Sequence, residues 1–303
     1  MSSHRPSRRE CLVGAAAVAA PVLGGAIGSV RAREPFSISL AQWSLHRMIF
    51  GGGLDPLAFP AFARERYEIG AVEYVNQFFM DKATDFEWLA ELRSRAEDAG
   101  VRSLLIMCDG EGRLGAGDDE ERRRAIERHF KWIAAAKFLG CHSIRVNAAG
   151  DGDWDEDMAR AADSLHRLAL VGDEYGVDVI VENHGGLSSN GIWIEGLMAR
   201  ADHPRVGTLP DFGNFTASGE GAFDRYDGVR RMMPFARGVS AKSRSFDAEG
   251  NETETDYRRM LPIVLDAGYH GHLGIEYEGG ERSEDEGIRL TKALLERLRA
   301  ESD

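Results

Sequence analysis

The chain has 303 residues, enough for one sizeable hydrophobic core. Its 50 acidic residues outweigh 37 basic ones, and the net charge of −13 gives a surface that repels phosphate backbones and argues against a nucleic-acid partner. The expected ligand is therefore small.

Residues 1–32 read as an export leader. Ser7-Arg8-Arg9-Glu10-Cys11-Leu12 is a twin-arginine pattern, a run rich in Ala and Gly follows over 12–27, and Val30-Arg31-Ala32 has the small-residue form of a cleavage site. That run is shorter and less apolar than the ~20 residues a membrane span needs, and no later segment offers one. The leader is basic, so its removal leaves the mature chain more acidic still. The expected location is the periplasm or another exported compartment. Residues 33–303 then make up the folded domain, near the ~250 residues of one eight-unit barrel.

The first strand is expected over 37–43. From there an amphipathic helix, a Gly suited to the left-handed C′ position and a β-rich run alternate along the chain. Gly70 precedes Ala-Val-Glu73-Tyr-Val, Gly100 precedes Val-Arg-Ser-Leu-Leu-Ile-Met107, and Gly140 precedes Cys141-His-Ser-Ile-Arg145-Val. Gly176 and Gly268 open two more such runs, and strands near 205–210 and 236–242 bring the expected number to eight. Helices are expected near 56–69, 85–99, 119–139, 156–175, 190–201, 221–234, 255–267 and 284–300.

Strands alternating with helices predict a parallel sheet. Gly51-Gly52-Gly53 after strand 1 lacks the G-x-G-x-x-G frame of an open dinucleotide-binding sheet, so a single-domain α/β fold, the (β/α)8 TIM barrel, is expected. Cys108 and Cys141 fall at opposite ends of neighbouring strands, too far apart to bridge, and should be free buried thiols. The irregular stretches 108–118 and 243–254 follow strands 3 and 7 and should overhang the face where a barrel carries its site.

Four strands end on metal-capable or catalytic side chains. They are Val-Ile-Val-Glu182-Asn183-His184, Thr-Leu-Pro-Asp211, Val-Ser240-Ala-Lys242 and Gly-Ile-Glu276-Tyr-Glu278. In a parallel barrel the C-terminal strand ends share one face, so these groups converge although they are distant in sequence. Glu182, Asp211 and Glu276 are hard oxygen ligands suited to a divalent metal such as Mn²⁺, Mg²⁺ or Co²⁺, with Zn²⁺ a further candidate. His184 lies two residues past Glu182 on the same side of an extended strand. It is either another ligand or a loop histidine contacting substrate or backbone. Lys242 shares the parity of Ser240 and either holds a sugar oxygen or pairs with an acid. Asn183, Asn214, Arg145 and Asn147 stand at strand ends where hydroxyl recognition is needed, and Glu73 is expected to end strand 2. Trp43, Phe78, Phe79, Phe212 and Phe215 lie near strand ends and serve either as stacking faces for a sugar or as packing.

Glu-Asn-His (182–184), Asp-Phe-Gly-Asn (211–214), Ser-Ala-Lys (240–242) and Gly-Ile-Glu-Tyr (274–277) resemble, in order and spacing, the xylose isomerase-like family of sugar isomerases and epimerases. The resemblance implies a (β/α)8 barrel with a divalent metal held by Glu, Asp, His and Glu. Carried over, these positions are Glu182, Asp211, Ser240 and Glu276. Ser240 is the departure, since many members have a His two residues before the Lys. A hydroxyl is a far poorer ligand than an imidazole, so water, substrate or a neighbouring side chain must complete the sphere. The resemblance also implies that Glu182 and Glu276 are catalytic, one of them removing a proton beside a carbonyl. His184, Lys242, Asn183, Asn214, Arg145 and Ser240 are the expected substrate-binding groups. A metal-dependent isomerase or epimerase acting on a free sugar or keto-sugar is the leading expectation. A keto-glycoside lyase or hydratase is the alternative, and a non-catalytic sugar-binding protein the third. A small carbohydrate is the expected partner, and a homo-oligomer is compatible with all three.

Overall fold

The computed structural model describes residues 34–215 and 223–301, so the leader expected over 1–32 lies outside the described residues. Eight strands form one parallel sheet: β1 (Ser37–Ala41), β2 (Ala71–Val75), β3 (Arg102–Met107), β4 (Ser143–Val146), β5 (Asp178–Glu182), β6 (Val206–Leu209), β7 (Val239–Ser243) and β8 (His272–Tyr277). Their order is β6-β5-β4-β3-β2-β1-β8-β7, with every neighbour parallel. Bridges Thr208–Ala236 and Asp211–Ser240 join β6 to β7 and turn the sheet into a barrel. At that seam the Ser240 N–H donates to the Pro210 carbonyl at 2.9 Å and the Phe212 N–H to the Ser240 carbonyl at 3.1 Å. Pro210 has no N–H to offer, which interrupts the ladder between them.

The helices are α1 (His46–Phe50), α2 (Phe59–Tyr67), α3 (Phe86–Asp98), α4 (Asp119–Leu139), α5 (Trp154–Tyr175), α6 (Gly191–Ala201), α7 (Arg225–Met232), α8 (Tyr257–Asp266) and α9 (Glu284–Glu301). Among the described residues no helix is long and apolar enough to cross a membrane. Helices α3 to α8 each start behind an Asp or Asn (Asp85, Asp118, Asp153, Asn190, Asp224, Asp256) whose side chain accepts a first-turn backbone N–H. These acceptors satisfy donors that the helix itself leaves unpaired. At the other end Gly140 (φ 79°) and Gly176 (φ 68°) adopt the left-handed cap that glycine permits. Gly70 does not take the role expected of it: Glu68, at φ 58°, makes the left-handed turn after α2, and the next residue, Ile69, is buried.

Strand 1 is shorter than expected. The Val75 N–H turns to the Gln42 side-chain oxygen at 3.0 Å, and the chain leaves the sheet through a 3₁₀ turn at Gln42–Leu45 into the unforeseen helix α1. Alternation along each strand then sets the two sides of the barrel wall. Leu40, Val72, Ile106, Ile144, Val179, Val181, Val239, Ala241, Leu273 and Ile275 face the helices in the main core. Ala41, Val75, Leu105, Met107, Ile180 and Leu209 form a separate plug inside the barrel, with Trp43 and Phe78 packed on it. Cys108 and Cys141 are buried and free. The stretch 243–254 is partly ordered by a Phe246–Glu252 antiparallel bridge, and the buried Glu252 carboxylate accepts the Arg244 and Ser245 amides.

Candidate functional site

The parity that sends Ile180, Leu209 and Gly274 inward also sends Glu182, Asp211, Ser240, Lys242, Glu276 and Glu278 inward, at the C-terminal end of the barrel above the apolar plug. Glu182, Asp211 and Glu276 come together there, each offering an oxygen within 4.8 Å of the others, and all three are buried. Their environment is built from neighbouring strands. The Ser240 hydroxyl shares its proton between Asp211 Oδ2 at 2.7 Å and Glu276 Oε2 at 3.2 Å. Asp211 Oδ1 accepts the Gly213 and Asn214 amides at 2.7 and 2.9 Å. Asn214 spans the centre, donating to Glu182 Oε1 at 3.0 Å and accepting from Lys242 at 3.1 Å.

Two buried cations compensate the acids. The Lys242 ammonium lies 3.0 Å from Glu276 Oε1, 3.0 Å from Glu278 Oε2 and 3.7 Å from Asp211 Oδ2. Arg145 Nε lies 2.8 Å from Glu182 Oε2, but without the direction of a hydrogen bond, so both atoms lack a hydrogen-bond partner. Burial pushes the Glu182 carboxyl well above the ordinary carboxylate range; Glu276 and Asp211 add to the rise while Arg145 and Lys242 oppose it. Glu276 is raised for the same first reason, against the pull of Lys242. Burial acts on Glu278 too, but Lys242 and the Trp43 indole N–H outweigh it and bring it down to about 2. Glu182 and Glu276 are thus shifted upward and Glu278 downward within one cluster.

The donor set fits a divalent cation. Three hard oxygens converge, and the buried Glu182 Oε2 accepts no hydrogen bond, which leaves its lone pairs open to a cation beside Arg145. Glu182, Asp211 and Glu276 would be the protein ligands. No imidazole among the described residues joins the cluster: His184 stands exposed at the cavity wall, its backbone N–H held by the Ser188 hydroxyl. His184 lies on the cavity wall, and Ser240 reaches Asp211 and Glu276.

A cavity of about 240 Å³ opens on the cluster and is lined by Trp43, Val75, Gln77, Asp109, Arg145, His184, Glu276 and Glu278. Asp109 was not among the residues singled out from sequence. Its carboxylate takes Arg145 Nη1 at 2.7 Å, Asn147 Nδ2 at 2.7 Å and Gln77 Nε2 at 3.2 Å. It lies two residues past Met107, an inward plug residue, and the parity that exposed the other acids points to it as well. Asn183 is fully buried, and both ends of its amide are used by the Asp211 backbone at 2.8 and 3.0 Å, so it positions Asp211 and does not face the cavity. Asn76 holds Asp109 by the same reciprocal pair, both at 2.9 Å. Glu73 lies inside β2 instead of ending it; its buried carboxyl, held by the Ser39 hydroxyl at 2.6 Å, is pushed up to about 7, chiefly by burial. Of the aromatic candidates, Phe79, Phe212 and Phe215 are core residues, while Trp43 lines the cavity and Phe78 packs beside it on the plug.

A family model described as a xylose isomerase-like TIM barrel matches residues 64–300. The chain belongs to that family. Over 86 residues the chain is 34% identical to the C-glycoside deglycosidase alpha subunit of Microbacterium trichothecenolyticum, covering 28% of this chain and 22% of that one. The match therefore spans about a fifth of that relative's length. The solved 3-keto-D-glucoside 4-epimerase of E. coli superposes with a TM-score of 0.64 at 16% identity, over 80% of this chain and 94% of the other. A xylose isomerase-like TIM barrel protein of Mycobacterium smegmatis, in complex with magnesium, gives a TM-score of 0.67 at 15% identity over 88% and 97%. At such identities the likeness to these two is one of fold.

Proposed function

We propose that this xylose isomerase-like protein is an enzyme that removes the proton beside the carbonyl of a keto-sugar and returns it, as an epimerase or isomerase. One observation carries the reading: Glu182 and Glu276 are buried together with Asp211 within 4.8 Å, and both carboxyls hold protons more tightly than an ordinary acid. A carboxylate of raised pKa is a stronger base, matched to proton transfer near neutral pH. Glu276 lines the cavity, so it is assigned the abstraction. Glu182, held between Arg145 and Asn214, is assigned the return.

A bound divalent cation would supply electrophilic stabilisation of the oxygen on which negative charge develops. The chain's own residues do the rest. Abstraction moves the C–H electron pair toward the carbonyl oxygen, giving an enediolate, and the Lys242 ammonium stands next to Glu276 to offset that charge. Ser240 fixes Glu276 relative to Asp211, and Arg145 stands beside Glu182. Return of the proton to the other face of the same carbon inverts it; return to the neighbouring carbon exchanges aldose and ketose. The twin-arginine leader expected over 1–32 favours an unphosphorylated substrate, because sugar phosphates do not accumulate outside the cytoplasm.

The local identity to a C-glycoside deglycosidase subunit supports a second reading, elimination. Here the same electron pair, instead of regaining a proton, re-forms the carbonyl and expels the group on the β-carbon, which departs with a proton. Both readings share the first step. The test is incubation of Mg²⁺-loaded protein in D₂O with free ketoses and 3-keto-glycosides, followed by NMR. Deuterium should enter the carbon beside the carbonyl; inversion marks an epimerase, a new aldose an isomerase, and a released aglycone the lyase. Failure of every substrate to take up deuterium would contradict the proposal.

A further inference from the structure

Trp43 belongs both to the cavity wall and to a row of rings that leads out of it. Phe78 lies 5.9 Å from Trp43 and Phe50 6.2 Å, and the two phenyl rings lie 5.0 Å from each other, all within the range of aromatic contact. Trp43 is fixed from behind, by the Glu278 carboxylate on its indole N–H and by the His46 ring stacked at 4.9 Å. Phe50 ends the row and is 61% exposed. Much of the gain from burying a Phe side chain is forgone at this position. A loosely held helix does not explain it, because α1 is clamped by the neighbouring unit of the barrel: the buried Glu284 carboxylate at the start of α9 accepts the Arg47 and Met48 amides at 2.7 and 3.0 Å.

We propose that Phe50 and Phe78 form an outer ledge, continuous with the cavity, that receives the planar apolar aglycone of a glycoside whose sugar ring occupies the cavity. The inference rests on the reading of the cavity as a keto-sugar site and extends it to the substrate class. The division of polarity selects an aglycone over a second sugar. Asp109, Arg145, His184 and Glu276 give the cavity the partners that hydroxyls need. The ledge is two hydrocarbon faces, and Gln77, next to Phe78 in the chain, turns its amide inward to Asp109 at 3.2 Å. A sugar lying on Phe50 would leave its hydroxyls to water, whereas an aromatic ring would gain stacking on both phenyls.

The test compares the 4-nitrophenyl and methyl glycosides of one keto-sugar by calorimetric binding and by deuterium exchange, in the wild type, Phe50→Ala and Phe78→Leu. The wild type should bind the nitrophenyl glycoside about tenfold more tightly, the scale of one or two ring contacts. Phe50→Ala should collapse that preference to about threefold or less, with Phe78→Leu between the two. A preference unchanged in both variants would overturn the ledge. So would sedimentation showing that Phe50→Ala turns a wild-type dimer into a monomer, because a second copy would then cover the patch. If the nitrophenyl glycoside binds in a Phe50-dependent way but neither glycoside exchanges its proton, the ledge stands and the proposed reaction fails.

Discussion

At the scale of single residues, Glu73 makes the sharpest statement about burial. It sits inside the barrel wall with one oxygen on Ser39 and the other without a partner, and its carboxyl is pushed from 4.5 to about 7. A carboxyl whose folded pKa is raised stabilises the folded state below the unfolded value, and that contribution is lost as pH rises from about 4.5 through about 7. Glu73→Gln mimics the protonated form at every pH. The variant should therefore exceed the wild type in stability at pH 8 by about 3 kcal/mol, with the gap closing toward pH 4.5, as read by urea unfolding at both pH values. A gap independent of pH would show that Glu73 is not held protonated. Glu182, Asp211 and Glu276 were legible in sequence because each ends an apolar run on the inward parity. Glu73 shares that parity mid-strand, and nothing local distinguishes a mid-strand acid inside the barrel from a strand end. The commitment of Asn183 to the Asp211 backbone was likewise hidden, since it depends on the register between β5 and β6.

At the scale of elements, the 3.6-residue period and the glycine stops made helices α3 to α9 readable to within a few residues. The errors lie where a distant group decides. Strand 1 was read two residues too long because Gln42 borrows the β2 amide, and α1 was not anticipated because its first turn is held by Glu284 from the far end of the chain. The end of α2 shows local chemistry overruled: glycine stands at position 70, yet the left-handed turn is made by Glu68, an exposed side chain. A non-glycine residue in that conformation costs roughly 1–2 kcal/mol. Glu68→Gly should relieve most of it, partly offset by greater freedom in the unfolded chain, for a net gain of about 0.5–1 kcal/mol seen as a higher Tm. A lower Tm would mean that the glutamate's position in the turn stabilises it in a way its contacts do not reveal.

For the whole molecule, the barrel explains how residues as distant as 109, 145, 182, 211, 242 and 276 form one site: parallel strands bring all their C-terminal ends to one face. That convergence was legible because it follows from topology alone. The Arg145–Asp109 pair and the ring ledge were not, because they depend on how loops settle over that face. The seam between β6 and β7 is closed by isolated bridges in place of a continuous ladder, and the site spans it, with Asp211 on one side and Ser240 on the other joined by backbone and side chain alike. The central claim is that two buried carboxylates of this face move a substrate proton. Its most direct test is the rate of deuterium incorporation into a keto-glycoside in D₂O, measured for the wild type, Glu276→Gln and Glu182→Gln with folding checked by circular dichroism. Glu276→Gln should lower exchange by roughly 10²–10⁴-fold, since an amide cannot accept the proton, and Glu182→Gln should block inversion or isomerisation more than exchange. Exchange at the wild-type rate in folded Glu276→Gln would contradict the account.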